Sequence, residues 1–201
     1  MCGAFPIGRS RYAPASDPLK ITLLTHFKEL PKPSNTGRLV LEVLGEAAEQ
    51  IRWERITPPA RLLEEITAGG VALLYPGGAD AAGSDLAGIR QIIIIDGTWH
   101  EARKIHQRSP YLQQVRRVSL QPSSKSRYNL RKNQKELGLC TAECVIEILR
   151  SIGNHATADR LEERFLACLK PLRGVTGEKR PKGAVHPLAI TEEKPLLVND
   201  A

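Results

Sequence analysis

Apolar runs along the chain predict buried strands that alternate with helices. Residues 92–95 are four consecutive isoleucines, and residues 19–25 and 71–75 are apolar-rich stretches of similar length. β-Branched residues favour strands, and strands that are apolar throughout are typical of a sheet covered on both faces. A shorter strand is predicted over residues 116–120. The pattern predicts an α/β fold: a single domain with a mostly parallel sheet flanked by helices.

Apolar residues at helical spacing fill the segments between and after these strands. The spacing predicts helices over residues 39–50, 139–152 and 156–169. A Thr-Pro-Pro sequence at residues 57–59 predicts the start of another helix, and Gly69 predicts its end.

The two ends of the chain differ in composition from its centre. Residues 1–18 mix Gly, Pro, Ser and Arg without periodicity and predict an irregular N-terminal arm. Residues 171–201 contain several prolines and few large apolar groups, which predicts an extended or flexible tail. The folded domain is therefore expected over residues 19–170. The apolar stretches are too short to span a membrane and no signal-peptide pattern is present, so we expect a soluble cytoplasmic protein without a membrane partner.

The turn after the four isoleucines is the first candidate for a functional site. Asp96 ends the predicted strand, and Thr98 with Glu101 three residues later forms a capping box typical of a helix start. Ligands of open α/β sheets bind where strands end and helices begin. Asp96 serves there either as a proton acceptor or ligand contact, or only as a helix-capping group. Trp99 either packs in the core or stacks on a ligand, and Gly97 allows close approach of a ligand.

Two further polar turns are predicted at the same edge of the sheet. Residues 35–38 (Asn-Thr-Gly-Arg) follow the first strand, and residues 76–78 (Pro-Gly-Gly) follow the second. Neither turn has the spacing of a dinucleotide-binding or P-loop fingerprint. Three polar turns at one edge nevertheless indicate a ligand site more strongly than any of them alone.

Charge favours an anionic partner. The formal net charge is +7 at pH 7 and the pI is near 9.4, which raises the expectation of a nucleic acid. Residues 121–135 concentrate Lys and Arg around Tyr128. Such a loop is either a solvated surface or a contact for RNA phosphates with a stacked base. Arg103 and Lys104, on the predicted helix after Asp96, extend this basic surface.

The tetrapeptide Asp96-Gly97-Thr98-Trp99 resembles the Asp-x-Thr-Trp signature for which the DTW-domain family is named. The resemblance continues in order through the blocks at residues 26–29, 35–39, 74–76, 102–104, 128–132 and 139–143. It covers roughly residues 20–170 and is much more specific than one tetrapeptide.

The resemblance implies both a fold and a reaction. The family is similar to tRNA-uridine aminocarboxypropyltransferases and is related to the SPOUT RNA methyltransferases, which implies a C-terminal trefoil knot. The implied co-substrate is S-adenosylmethionine, whose 3-amino-3-carboxypropyl group passes to N3 of a tRNA uridine and leaves methylthioadenosine. The alternatives are a SPOUT-like RNA methyltransferase, an aminocarboxypropyltransferase for ribosomal RNA, and a non-catalytic RNA-binding module.

A departure from the family pattern concerns metals. Many members begin with a cysteine cluster that resembles a zinc site, whereas this chain has only Cys2 there and no Cys-x-x-Cys pair. We therefore expect no metal, and RNA contact must rest on the basic surface or on a partner.

The resemblance also implies roles for individual residues. We expect Asp96, as the base, to act with Thr98 and Trp99 in catalysis. The expected cofactor-binding residues are Thr36, Tyr75, Pro76, Gly77, Asp96, Gly97, Leu139 and Thr141. The expected contacts to tRNA are Arg38, Arg103, Lys104, Tyr128, Arg131 and Lys132.

Overall fold

The structure, a computed structural model, describes residues 18–77, 86, 88–120, 126–127 and 138–169. These residues belong to the first of two units in the chain, Met1–Lys170. The predicted C-terminal tail, most of the predicted N-terminal arm and most of the basic loop at 121–135 lie outside the described residues. Within the described part of the chain, no helix is both long and apolar enough to cross a membrane.

The described strands form a five-stranded parallel sheet in the order β2-β1-β4-β3-β5. An α/β fold with a parallel sheet flanked by helices is therefore confirmed. The strands are β1 Lys20–Thr25, β2 Ala48–Arg52, β3 Val71–Leu74, β4 Gln91–Asp96 and β5 Arg116–Val118. The α-helices are α1 Gly37–Leu44, α2 Ala60–Ala68, α3 Trp99–Gln107, α4 Pro110–Gln113, α5 Thr141–Ser151 and α6 His155–Leu169.

The isoleucine run lies at the centre of the sheet and contributes to both layers of the core. Ile92 and Ile94 belong to the core cluster shared with α1, α5 and α6, while Ile93 and Ile95 belong to the one shared with α2, α3 and α4. This alternation is the two-residue period of a strand, with both faces covered. Burying each isoleucine contributes roughly 1.5–3 kcal/mol, so β4 anchors the whole domain.

The register of the sheet brings the turns after β1 and β4 together. Thr25 at the end of β1 is aligned with Asp96 at the end of β4 and with Arg52 at the end of β2. The segment that starts at His26 and the segment that starts at Gly97 therefore leave the sheet side by side. Both belong to the edge that the sequence predicts as the ligand site.

The helix predicted over residues 39–50 is wrong in its second half. The helix α1 ends at Leu44, because Gly45 adopts a positive φ of 55° that breaks the helical path. A 3-10 turn Gly45–Ala47 and the edge strand β2 follow. The residues of β2 are at most partly buried, so the strand lacks the continuous apolar run that marks β4.

The start of α2 also differs from the prediction. The sequence suggests a cap at Thr57 and a first helical residue at Pro58, whereas α2 begins at Ala60 with Pro59 as its N-cap. A residue that precedes proline is disfavoured in helical conformation. Because Pro58 precedes Pro59, Pro58 is disfavoured as a first helical residue, and Pro59 is extended at the N-cap. The predicted end at Gly69, which has a φ of 81°, is confirmed.

Candidate functional site

The Asp96 carboxylate joins three separate parts of the chain at the carboxyl end of β4. Its Oδ2 accepts hydrogen bonds from Asn35 Nδ2 at 2.7 Å and from Thr25 Oγ1 at 3.2 Å. Its Oδ1 accepts one from Thr141 Oγ1 at 2.7 Å. Only 2% of Asp96 is exposed. A carboxylate offers about four acceptor positions, so the described residues leave one position on Oδ1.

Two helices begin beside this carboxylate. The helix α1 starts at Gly37 after Thr36, and α5 starts at Thr141. Thr36 Oγ1 accepts a hydrogen bond of 3.3 Å from the backbone N–H of Ala142, which ties the two helix starts together. The N-terminal end of a helix carries partial positive charge and favours a nearby anion. The Asp96 carboxylate therefore stabilises the N-terminal ends of α1 and α5 beside each other.

Close packing of the backbone against Asp96 requires a glycine at position 37. A Cβ added there would lie 2.9 Å from Asn35 Oδ1, 3.0 Å from Asp96 Oδ2 and 3.1 Å from Leu23 Cδ1. The Asn35 amide completes the turn, because its Oδ1 accepts a hydrogen bond of 2.6 Å from the Gly37 N–H. The Asn-Thr-Gly turn thus folds directly around the carboxylate.

Thr98 caps α3 through a reciprocal pair with Glu101. The Thr98 hydroxyl donates to Glu101 Oε2 at 2.7 Å and accepts from the Glu101 N–H at 3.3 Å, while the Thr98 N–H donates to the same carboxylate at 2.9 Å. The predicted capping box is confirmed. Burial alone would raise the pKa of Glu101, but the hydrogen bonds from Thr98, together with contributions from Glu29 and His26, outweigh burial and lower the pKa to about 2. Glu101 is therefore a carboxylate at neutral pH.

Trp99 lies at the surface of the edge and stacks on a second ring. Its centroid is 5.8 Å from that of Tyr75 with an angle of 22° between the planes, and Tyr75 lies 4.2 Å and 12° from His106. Trp99 is 44% exposed. Burial, followed by the charge of Arg117, lowers the pKa of His106, so its imidazole is neutral at pH 7. Trp99 therefore combines packing against Tyr75 with a large accessible surface.

The residues predicted to bind the cofactor fall into two groups at this edge. The first group lies at or next to the Asp96 carboxylate and the second follows β3. The first consists of Thr36, Asp96, Gly97, Leu139 and Thr141, and the second of Tyr75, Pro76 and Gly77. Tyr75 packs in the layer of α2, α3 and α4, whereas Asp96 bonds to the starts of α1 and α5. Tyr75 and Asp96 therefore lie toward opposite faces of the sheet.

The residues predicted to contact RNA are distributed in a similar way. Arg103 and Lys104 are exposed on α3, and Arg38 is partly buried in the first turn of α1. Tyr128, Arg131 and Lys132 lie outside the described residues.

Comparison with known protein families matches the model of the DTW domain to residues 7–172, which is most of the chain. The chain belongs to the DTW-domain family. This family is linked to tRNA modification. None of the solved structures matches the chain.

The signature residues of this DTW domain occupy three different structural positions. Asp96 accepts hydrogen bonds at the helix starts, Thr98 caps α3, and Trp99 stacks on Tyr75 at the surface. Their spacing follows from the turn between β4 and α3. β4 ends at the buried Asp96 carboxylate, and α3 begins with the exposed ring of Trp99.

Sequence reasoning missed several side chains that shape the edge of the DTW domain. Glu29, in the segment after β1, is fully buried and pairs with Lys32 at 2.5 Å. His26 begins that segment, and its Nδ1 lies 3.5 Å from Glu101 Oε1. In the sequence, only the family block at residues 26–29 pointed to His26 and Glu29.

Glu143 is another missed residue, and it organises the entry to α5. Its carboxylate accepts the backbone N–H groups of Cys140 at 2.9 Å and Arg127 at 2.7 Å, and it accepts the Ser126 hydroxyl. Arg127 also forms an ion pair with Glu162 of α6. These contacts hold residues 126–127 of the basic loop against α5 and α6. Two signals were available: Glu143 belongs to the family block at residues 139–143, and its position three residues after Cys140 is that of a capping box.

Proposed function

We propose that this protein is a tRNA-uridine aminocarboxypropyltransferase. It transfers the 3-amino-3-carboxypropyl group of S-adenosylmethionine to N3 of a uridine in tRNA, giving acp3U and methylthioadenosine. The cytoplasm is the proposed compartment, and the trefoil knot implied by the resemblance is part of the same proposal. The observation that carries the proposal is the Asp96 carboxylate of the family signature, enclosed at the ligand edge with one acceptor position on Oδ1 that the described residues leave open.

The residues around Asp96 fit S-adenosylmethionine in charge and in hydrogen bonding. Asp96 accepts three hydrogen bonds from the described residues. A carboxylate suits the cationic sulfonium. The hydroxyls of Thr36 and Thr141 stand at the two helix starts beside it and would hold polar groups of the ligand.

The transfer itself needs one proton acceptor. S-adenosylmethionine supplies an electrophilic carbon whose bond to sulfur breaks with the electron pair staying on sulfur. Uracil N3 forms the new bond to that carbon, and its proton passes to Asp96 Oδ1. Thr141 Oγ1 lies 2.7 Å from this oxygen and orients it. Proton transfer to a positioned base typically accelerates a reaction by about 10²–10⁴.

Mass spectrometry of nucleosides from tRNA incubated with the protein and S-adenosylmethionine tests the proposal. We expect uridine to gain an aminocarboxypropyl group together with stoichiometric methylthioadenosine. A methyl gain would indicate a methyltransferase, and product on ribosomal RNA alone would indicate the other RNA substrate. RNA binding without any product would indicate a binding module.

Asp96→Asn tests the role of the carboxylate. We expect kcat to fall at least about 10²-fold while the tRNA dissociation constant and the circular dichroism spectrum stay unchanged. Thr25→Val is the matched control, because it removes one donor to Asp96 Oδ2 and keeps the carboxylate. An Asp96→Asn variant that turns over like the wild type would remove Asp96 from the base role. Equal losses in both variants would assign the loss to the hydrogen-bond network.

A further inference from the structure

The aromatic rings of Trp99, Tyr75 and His106 form a continuous stack, the ring stack, that the proposed transfer step does not use. Its outer end is Trp99, which is 44% exposed. Its inner end is His106, whose Nε2 is buried and has no hydrogen-bond partner among the described residues. Tyr75 is sandwiched between the two, at 5.8 Å from Trp99 and 4.2 Å from His106. Tyr75 therefore packs against the ring of the exposed tryptophan.

Cationic side chains border both ends of the ring stack. Arg117 Nη1 donates to the carbonyl oxygen of Gly77 at 3.3 Å, and its charge contributes to the lowered pKa of His106. Arg103 is exposed on α3 one helical turn after Trp99. A flat aromatic surface between arginines has the composition of a site for single-stranded nucleic acid.

We propose that the ring stack is a base-stacking site for single-stranded RNA. An unpaired uracil lies against the accessible part of Trp99, and the adjoining phosphates pass Arg103 and Arg117. The inference deepens the proposed function and rests on it for the RNA substrate, because it names a surface for an unpaired base that neighbours the uridine reacting at Asp96. It does not depend on which group is transferred.

The charge around the ring stack distinguishes an RNA base from the adenine of S-adenosylmethionine. The sulfonium is a cation, and arginines beside the stack repel it, whereas a phosphodiester strand is attracted. The Asp96 carboxylate, which suits the cation, bonds to the starts of α1 and α5, on the other face of the sheet from the layer that includes Tyr75. The base and the cofactor would therefore approach the edge from different sides.

Fluorescence of a single tryptophan tests this assignment directly. The chain contains two tryptophans, and Trp53→Phe leaves Trp99 as the only one. We expect a single-stranded oligouridylate to quench its emission in a saturable way, and methylthioadenosine to leave it unchanged. Quenching by methylthioadenosine alone would assign the ring stack to the cofactor adenine. If neither oligouridylate nor methylthioadenosine quenched the emission, the proposal would also be wrong.

Affinity measurements on two Trp99 variants complete the test. Trp99→Leu should weaken oligouridylate binding roughly 5- to 150-fold, the loss typical of one stacked base, whereas Trp99→Phe should retain most of the affinity. Trp53→Phe alone should bind like the wild type. Equal affinities of Trp99→Leu and wild type would refute the site. These readouts do not use transfer, so an inactive protein that still shows the quenching would contradict the proposed function and leave the RNA site standing.

Discussion

The interior of the edge depends on how closely a few individual residues approach Asp96. Asn35 and Gly37 come from the segment after β1, and Thr141 begins α5, yet all three lie within a few ångströms of the same carboxylate. Without the carboxylate, Asn35 Nδ2 and the Thr141 hydroxyl would each lose an acceptor, whereas the Thr25 hydroxyl would still have the carbonyl oxygen of Leu23 at 3.4 Å. A buried donor left unpaired costs more than the loss of one favourable contact. Asp96 therefore has a structural role in addition to the proposed chemical one.

Gly37→Ala tests the packing around Asp96. The added methyl group would lie 3.0 Å from Asp96 Oδ2 and 2.9 Å from Asn35 Oδ1, so Asn35 or α1 must shift. We expect a loss of about 1–3 kcal/mol in the free energy of unfolding, measured by urea denaturation, together with reduced transferase activity.

Gly97→Ala provides the comparison for Gly37→Ala. A Cβ at Gly97 would meet no atom closer than 3.2 Å, the nearest being Glu101 Cβ and, at 3.5 Å, Glu101 Oε2, so Gly97→Ala should require a smaller shift than Gly37→Ala. Neither glycine has a positive φ, so the pair compares packing alone. A Gly37→Ala variant as stable as the Gly97→Ala variant would show that the turn can relax around Asp96.

Among the elements, α3 has the most direct connection between sequence and site. Its first residue is Trp99, and its capping box fixes the angle at which the helix leaves β4. The direction of that first turn places the indole on Tyr75 rather than in the core. Changes in the cap should therefore alter both stability and the ring stack.

Thr98→Ala removes the hydroxyl that caps α3 and leaves the Glu101 N–H without its acceptor. We expect a loss of roughly 0.5–2 kcal/mol in the free energy of unfolding, measured by urea denaturation. Thr98→Ser keeps the hydroxyl and should be close to the wild type. If Thr98→Ser were as unstable as Thr98→Ala, the methyl group rather than the cap would carry the stabilisation.

How far sequence predicted these elements depended on the strength of the local signal. The isoleucine run and the Thr98–Glu101 capping box determined β4 and the start of α3, because burial and capping act within a few residues. The edge strand β2 was missed, because half-exposed edge positions leave no apolar run and Ala48 and Ile51 also fit helical spacing. Propensity for an edge strand depends on its neighbours.

The candidate site was predictable only in part for a related reason. Asp96 and the three polar turns were recognisable because they follow strands at one edge. The hydrogen bond from Thr141 to Asp96 joins residues 45 positions apart, and no local pattern predicts it. The contact between Tyr75 and Trp99 likewise depends on the neighbouring places of β3 and β4 in the sheet. Contacts of this kind depend on the order of the strands in the sheet, and no short stretch of sequence determines that order.

The positions of cationic residues on the molecule, rather than its net charge alone, should govern its affinity for tRNA. The formal net charge of +7 attracts any polyanion, so only a comparison between positions can show where the RNA lies. Arg103 is exposed on α3 beside Trp99, whereas Arg160 is exposed on α6, in the layer on the other face of the sheet. Arg103→Glu and Arg160→Glu change the net charge equally.

We expect Arg103→Glu to weaken tRNA binding and Arg160→Glu to leave it nearly unchanged. Each phosphate contact that is lost should reduce the slope of log K against log salt by about 0.7–0.9, so the Arg103→Glu slope should be shallower by roughly that amount. Fluorescence anisotropy of labelled tRNA between about 0.05 and 0.2 M salt gives both quantities. Equal losses in the two variants would mean that net charge, rather than the surface around Trp99, controls binding. A larger loss in Arg160→Glu would move the RNA to the α6 face and contradict the proposed stacking site.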